Sequence, residues 1–274
     1  MPLLHIFLIA VLQGITEFLP ISSSGHLVLA HHFLDGSNVP LSYERIFDIA
    51  VHVGTLLSVL LCFHKDILRM TTGFFDFCRG QRNNNTRLLG YLLLSSIPAI
   101  IVGLGLHILQ PSWFQSVELV AWTMFLFAFV LYAADKFFPV NKKVEDMTWK
   151  NALLVGFAQA IALIPGVSRS GITMSAARYC GLERVEAARF SLLMATIAIS
   201  GAGAVGATDL LEANDPVLFA VVGWGILFSF IAGLLTIIGM MFLLKRFTFT
   251  PFVIYRLLVG GTLLVLIYTG VMAV

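Results

Sequence analysis

The sequence predicts an all-α integral membrane protein built as an inverted repeat, each half one re-entrant helical hairpin followed by three transmembrane helices. Three observations predict it. Hydrophobic residues make up 58% of the 274 and mean hydropathy is +0.92, too apolar for a domain solvated by water alone. A segment near the start, Gln13-Gly-Ile-Thr-Glu-Phe-Leu-Pro-Ile-Ser-Ser-Ser-Gly25, returns as Gln159-Ala-Ile-Ala-Leu-Ile-Pro-Gly-Val-Ser-Arg-Ser-Gly171, with Gln, Ile, two Ser and Gly in register. Basic residues, finally, gather on one side of the topology that follows.

Residues 3–34 form an apolar run broken by Glu17, Pro20 and the turn Ser22-Ser23-Ser24-Gly25. Such a run fits a hairpin that enters and leaves by one face. No Lys or Arg precedes it and no small-residue cleavage site follows, so it is expected to remain in the mature protein. Windows 46–64, 88–109 and 117–134 approach the roughly 20 apolar residues that a spanning helix needs. Residues 151–165 then end at Pro165-Gly166, and Ser168-Arg169-Ser170-Gly171 follows. This is the second hairpin, about 151–181. Windows 190–208, 217–244 and 257–274 complete a single membrane domain whose halves run about 1–139 and 147–274. An odd number of crossings per half inverts the second half, as in transporters built from inverted repeats.

The model places segments 65–87, 136–150, 178–189 and 245–256 on one side. Of the 17 basic residues, all but Arg45 and Arg169 fall in those segments. The positive-inside rule makes that side cytoplasmic and both termini external. Asp135, Glu145, Asp146, Asp209, Glu212 and Asp215 read as solvated loop charge. Arg178 and Arg256 read as anchors at the cytoplasmic face, and Trp113 and Trp149 as interfacial anchors. With a net charge of only +2 nothing suggests a nucleic-acid partner, so none is expected, and three cysteines (Cys62, Cys78, Cys180) fit neither a disulfide framework nor a zinc site.

The chemistry concentrates in the two hairpins. Glu17 lies in an apolar stretch with Gln13 one helical turn earlier, and an ionisable group there is costly unless it faces a cavity. Ser22, Ser23, Ser24, Gly25 and His26 form a turn opening a helix, where free N–H groups and the helix dipole attract an anion. Gly25 there would admit a phosphate close to the backbone. Arg169 has no acidic neighbour in sequence and suits bidentate phosphate binding, with Ser168, Ser170, Gly171 and Thr173 around it. Asp48 and His52, one turn apart, could support the site or a metal. Together the set describes a phosphate site within a membrane, whose natural substrate is a lipid phosphate.

Gln13-Gly-Ile-Thr-Glu17 resembles the (Glu/Gln)-x-x-x-Glu motif of bacterial undecaprenyl pyrophosphate phosphatases, the bacitracin-resistance family. Pro165-Gly-Val-Ser-Arg-Ser-Gly-Ile-Thr173 resembles its Pro-Gly-x-Ser-Arg-Ser-x-x-Thr motif, and Phe18-Leu-Pro-Ile-Ser-Ser-Ser-Gly-His26 its intervening signature. The resemblance runs nearly end to end. It implies hydrolysis of undecaprenyl pyrophosphate in the bacterial plasma membrane and a divalent cation, Mg²⁺ or Ca²⁺, near Glu17 and Gln13. It also implies phosphate binding by Arg169, a catalytic pair of Ser23 and His26, and a site opening to the outer side. Gln at the first motif position cannot act as a base, so Glu17 must carry the acidic role. The nucleophile is Ser23 assisted by His26, His26 itself, or a water that both position; the first is favoured. Implied partners are the polyprenyl pyrophosphate and membrane lipids, with a homodimer allowed. A transporter or flippase would share the repeat but needs no reactive set. The acid-phosphatase-like lipid phosphatases are excluded because their Lys-x₆-Arg-Pro element is absent and no His follows Arg169.

Overall fold

A computed structural model describes residues 3–34, 41–109, 116–138 and 142–272. Among them are eleven α-helices: α1 Leu3–Thr16, α2 Ser23–Leu34, α3 Leu41–Cys62, α4 His64–Cys78, α5 Asn84–Leu109, α6 Val117–Phe137, α7 Trp149–Ile161, α8 Arg169–Tyr179, α9 Arg184–Ala213, α10 Pro216–Leu244 and α11 Thr250–Tyr268. Trp113 lies outside the described residues, as do parts of the connections after α2 and α5.

Among the described residues, six segments are long and apolar enough to cross a membrane: Ser42–Cys62, Asn84–Leu106, Val117–Phe137, Arg184–Ala213, Pro216–Leu244 and Thr250–Tyr268. They coincide with the six expected windows, and their outward faces carry exposed side chains such as Ile101, Leu126, Leu235, Leu258 and Val265. An apolar exterior of this kind suits lipid as the solvent. The chain is a multi-pass membrane protein. Several helices begin earlier than their apolar windows because Arg184, Arg189 and Arg256 lie inside them, where partners within the protein receive their charge. The stretch 65–87, expected as a loop, is mostly α4.

Local sequence explains the boundaries. Ser116 caps α6, Thr148 caps α7 reciprocally with Asn151, and Asp215 caps α10, whose first residue is Pro216. The two repeated turns fold alike to the level of single atoms. Ser22 and Ser168 hold the same positive φ, 77° and 76°. Each hydroxyl accepts the amide three residues on, Gly25 at 3.2 Å and Gly171 at 3.1 Å. Each also contacts the Ser two residues on, at 3.3 and 3.2 Å. In consequence Ser23 and Arg169 are equivalent residues, each the first of its helix.

Packing exchanges elements between the copies: α1 packs on α10 and α7 on α5, while α3 meets α9 and α6 meets α11. Lipid-embedded helices gain no hydrophobic drive from meeting each other, so close approach of small residues matters. A Cβ on Gly14 would lie 2.5 Å from that of Ala232 on α10, and one on Gly156 would lie 2.7 Å from the Ser95 carbonyl of α5. Phe18, fully buried between the hairpin and α10, sits in a core with Val59, Met174, Leu192 and Ile237.

Three expectations about charge are corrected. Asp135 is not solvated: its carboxylate accepts from Arg184 Nε at 2.7 Å and the Phe249 amide at 3.0 Å, and lies 3.2 Å from Arg178. Arg178 is no surface anchor, being fully buried and also bonded to the Leu182 carbonyl at 3.0 Å. Removing Asp135 would strand this buried cation, a loss of about 3–5 kcal/mol in comparable cases. Arg256 is likewise buried. From α11 it donates to the carbonyls of Met124 and Thr123 on α6, at 3.2 Å each, and to Pro20 at 3.4 Å and Gly166 at 3.0 Å. It therefore clamps the broken backbone of both hairpins, whose interrupted helices leave carbonyls without intrahelical partners. The other acidic residues differ less from expectation. Asp209 and Glu212 fall on the last turn of α9, and Glu145 pairs with Arg69 at 3.2 Å.

Further ion pairs join segments that the sequence placed on one side. Asp66 on α4 holds Arg189 of α9 through both oxygens, at 2.5 and 2.9 Å. Lys142 exchanges backbone bonds with Gly181 and Glu183. Asp66, Arg69, Asp135, Glu145, Arg184, Arg189 and Phe249 thus meet at one end of the molecule. Cys62, Cys78 and Cys180 are free.

Candidate active site

Glu17, just past the end of α1, is the centre of the site and is buried. Its Oε1 pairs with Arg169 Nη2 from the other copy. Its Oε2 accepts from Ser23 Oγ at 2.6 Å and from Gln13 Nε2 at 2.9 Å, with His52 Nε2 at 3.5 Å. Gln13 reaches it because the two are one helical turn apart. Ser23 and Arg169 reach it because each opens its helix, so the N-terminal ends of α2 and α8 converge there.

These ends open on a cavity of about 330 Å³. Ser23, Ser24, Ser168 and Arg169 line it from the hairpins, and Arg45, Asp48, Ile49 and His52 from α3. The α9 wall is apolar, formed by Ala198, Ile199 and Ala202. Asp48 and His52 are thus at the site itself. His52 Nδ1–H donates to the Asp48 carbonyl at 2.7 Å, which directs Nε2 toward Glu17. The Asp48 carboxylate lies 3.2 Å from His31. Two converging helix N-termini, an Arg and several hydroxyls present donors that favour an anion, and they are set against an apolar wall.

Other expected site residues are placed elsewhere. His26 does not line the cavity. Its Nδ1–H donates to the Ser22 carbonyl at 2.6 Å, leaving Nε2 to accept from Tyr255 Oη at 2.7 Å, and the two rings stack. Ser23 accordingly bonds Glu17 and makes no hydrogen bond with His26. Gly25 and Gly171 face protein: a Cβ on the former would meet Val120 and Gly166, and one on the latter Ser168 and Pro20. The glycines let the two broken segments touch, not a phosphate approach. Ser170 donates to the Leu19 carbonyl at 2.8 Å and stitches the hairpins together, Thr173 meets Ser191 at 2.7 Å, and Ser22 caps α2. Arg45 was not expected at the site. Two signals pointed to it: its position against the charge bias, and its place three and seven residues before Asp48 and His52, on one face of α3.

A family model described as bacitracin resistance protein BacA matches residues 6–262. The chain belongs to this family. Among the chain's relatives, an undecaprenyl-diphosphatase of Dinoroseobacter shibae is 40% identical over 271 residues, covering 98% of this chain and 100% of that one. A protein of the same name from Aliivibrio salmonicida is 41% identical over 259 residues, covering 94% and 96%. Another, from Chromohalobacter salexigens, is 40% identical over 263 residues, covering 96% and 98%.

The donor set at Glu17 bears on the expected cation. No cluster of three or more His, Cys, Asp or Glu side chains among the described residues is arranged to enclose a metal ion. The Gln13 Oε1 atom, however, is a buried acceptor without a hydrogen-bond partner, on the side chain that contacts Glu17. One carboxylate and one amide oxygen fit a Mg²⁺-like ion that takes its remaining ligands from substrate phosphates and water.

Proposed function

We propose that the chain hydrolyses undecaprenyl diphosphate to undecaprenyl phosphate and inorganic phosphate, recycling the lipid carrier of peptidoglycan and other cell-wall synthesis and so conferring bacitracin resistance. One observation supports this above all: the two sequence copies bring complementary residues, Glu17 and Ser23 from one and Arg169 from the other, to one cluster beside one cavity. The diphosphatase names of relatives matched over nearly full length supply the substrate.

The terminal phosphate binds between the N-termini of α2 and α8, where Arg169 Nη1, a buried donor with no hydrogen-bond partner, can meet it. Ser23 Oγ attacks the terminal phosphorus and gives its proton to Glu17 Oε2. The Oγ–P bond forms as the bridging P–O bond breaks, and the lipid monophosphate departs and takes the proton from Glu17. Water then attacks the phosphoseryl group, Glu17 accepts its proton and returns one to Ser23 Oγ, and phosphate is released. Glu17 replaces His26 as base in this scheme because Ser23 donates to it directly. His26 orders the α2 turn through Ser22 and Tyr255. A divalent cation, Mg²⁺ or Ca²⁺, would be held by Glu17 and Gln13 and would neutralise phosphoryl charge when bound.

The topology belongs to the same proposal. Residues 3–34 and 151–181 are re-entrant hairpins entering from opposite faces of a bacterial plasma membrane, and halves 1–139 and 147–274 are inverted. The matched turn geometry at Ser22 and Ser168 and the exchanged packing of α1 and α7 support the repeat. The ion-paired end is cytoplasmic by its basic residues, and the cavity opens outward.

Phosphate release from undecaprenyl diphosphate by the purified chain in detergent, with Mg²⁺, Ca²⁺ or EDTA, tests the reading. Metal-dependent release that Ser23→Ala abolishes is expected. No release by folded protein under any of these conditions contradicts it and directs attention to lipid transport in vesicles.

A further inference from the structure

We propose that Arg45 binds the lipid-proximal phosphate of the substrate and thereby sets a preference for diphosphates over monophosphates. The proposal rests on the phosphatase reading above and adds a second cation to it.

Charge balance calls for one. Arg169 and Glu17 form an ion pair, so the side chains at the floor of the cavity offer a diphosphate hydrogen bonds but little net positive charge of their own, and a divalent cation there would balance only part of its charge. Arg45 lines the same cavity yet is exposed, whereas Glu17 is buried. It therefore stands at the mouth while the reacting groups stand at the floor. Among the described residues no side chain forms an ion pair or hydrogen bond with Arg45. Asp48, the nearest carboxylate along its face of α3, lies instead against His31.

The order of groups follows from the chemistry. The terminal phosphorus must lie beside Ser23, so the phosphate left on the lipid lies one P–O–P link outward, toward Arg45. The prenyl chain then continues along the apolar wall of Ile49, Ala198, Ile199 and Ala202. A guanidinium with no competing acid suits that second phosphate, and can hold it through two parallel N–H donors. Arg45 also stands apart from the cation-rich end of the molecule. Its charge is an exception to the distribution that orients the chain, and a place in the substrate site accounts for the exception.

The test compares wild type with Arg45→Ala and Arg45→Lys, measuring phosphate release from farnesyl diphosphate in detergent and inhibition by inorganic phosphate and by pyrophosphate. Arg45→Ala is expected to raise KM about 10-fold, the effect of one charge-assisted hydrogen-bonded contact, and to lower kcat as well, because the phosphate it holds is the leaving group and gains charge as the bridging P–O bond breaks. Arg45→Lys should recover part of the loss. Inhibition by pyrophosphate should weaken in Arg45→Ala while inhibition by inorganic phosphate, which needs only the floor, stays within about 2-fold. Unchanged KM, or equal weakening of both inhibitors, would overturn the proposal. Inactive wild type would instead count against the phosphatase reading itself.

Discussion

At Glu17 one carboxylate serves three neighbours, Arg169, Ser23 and Gln13, and that arrangement determines what each can do. The carboxylate can accept the Ser23 proton only while ionised, and it lies paired with the Arg169 guanidinium. Glu17→Gln preserves shape and removes the base, so kcat/KM should fall by about 10²–10⁴. His26→Asn should cost far less, because His26 makes no contact with the cavity. A loss at His26 equal to that at Glu17, in phosphate-release assays of both variants, would restore His26 to the reaction. Glu17 and Arg169 were legible in the sequence because ionisable residues in broken apolar runs need a reason to be there. The placement of His26 was not: it follows Ser23 by three residues, yet its ring is engaged by Tyr255, 229 residues away. Nearness along the chain does not say which way a side chain turns.

The elements that position the site are the two capped turns. Ser22 and Ser168 adopt a φ that L-residues favour little, and each offsets that cost by capping its helix. At Ser168, Gly would remove the conformational cost while losing the cap, whereas Ala would lose the cap and keep the cost. Ser168→Ala should therefore lower stability by about 1 kcal/mol and Ser168→Gly by less, read by thermal denaturation in detergent. The reverse order would show that the turn is not held as described. Pro20, Pro165-Gly166 and the Ser-rich turns marked both helix breaks correctly. Helix α4 escaped notice because its charged residues, Lys65, Asp66 and Arg69, read as loop composition. Asp66 is in fact held by Arg189 from α9, a contact set by tertiary structure.

Across the whole molecule, two copies of one motif have diverged into complementary halves of a site. The equivalent first residues of α2 and α8 are Ser23 and Arg169, one a hydroxyl and the other a cation, and both meet Glu17. Arg256 spans the breaks of both hairpins, bonding Pro20 and Gly166, and Ser170 bonds Leu19 across the same junction. The register of the repeat and the six apolar helices could be read from sequence, because composition and spacing record them directly. The burial of Arg256, Arg178 and Asp135 could not, since each depends on partners contributed by distant segments.

In the proposed mechanism Glu17 and Arg169 act as one unit assembled from the two copies. A double-mutant cycle on phosphate release from undecaprenyl diphosphate tests it most directly, using wild type, Glu17→Ala, Arg169→Ala and the double variant. Each single change should remove most activity, and the double variant should be scarcely worse than either, because residues that act together are strongly non-additive. Losses that multiply, or a single variant that retains activity, would contradict a shared site.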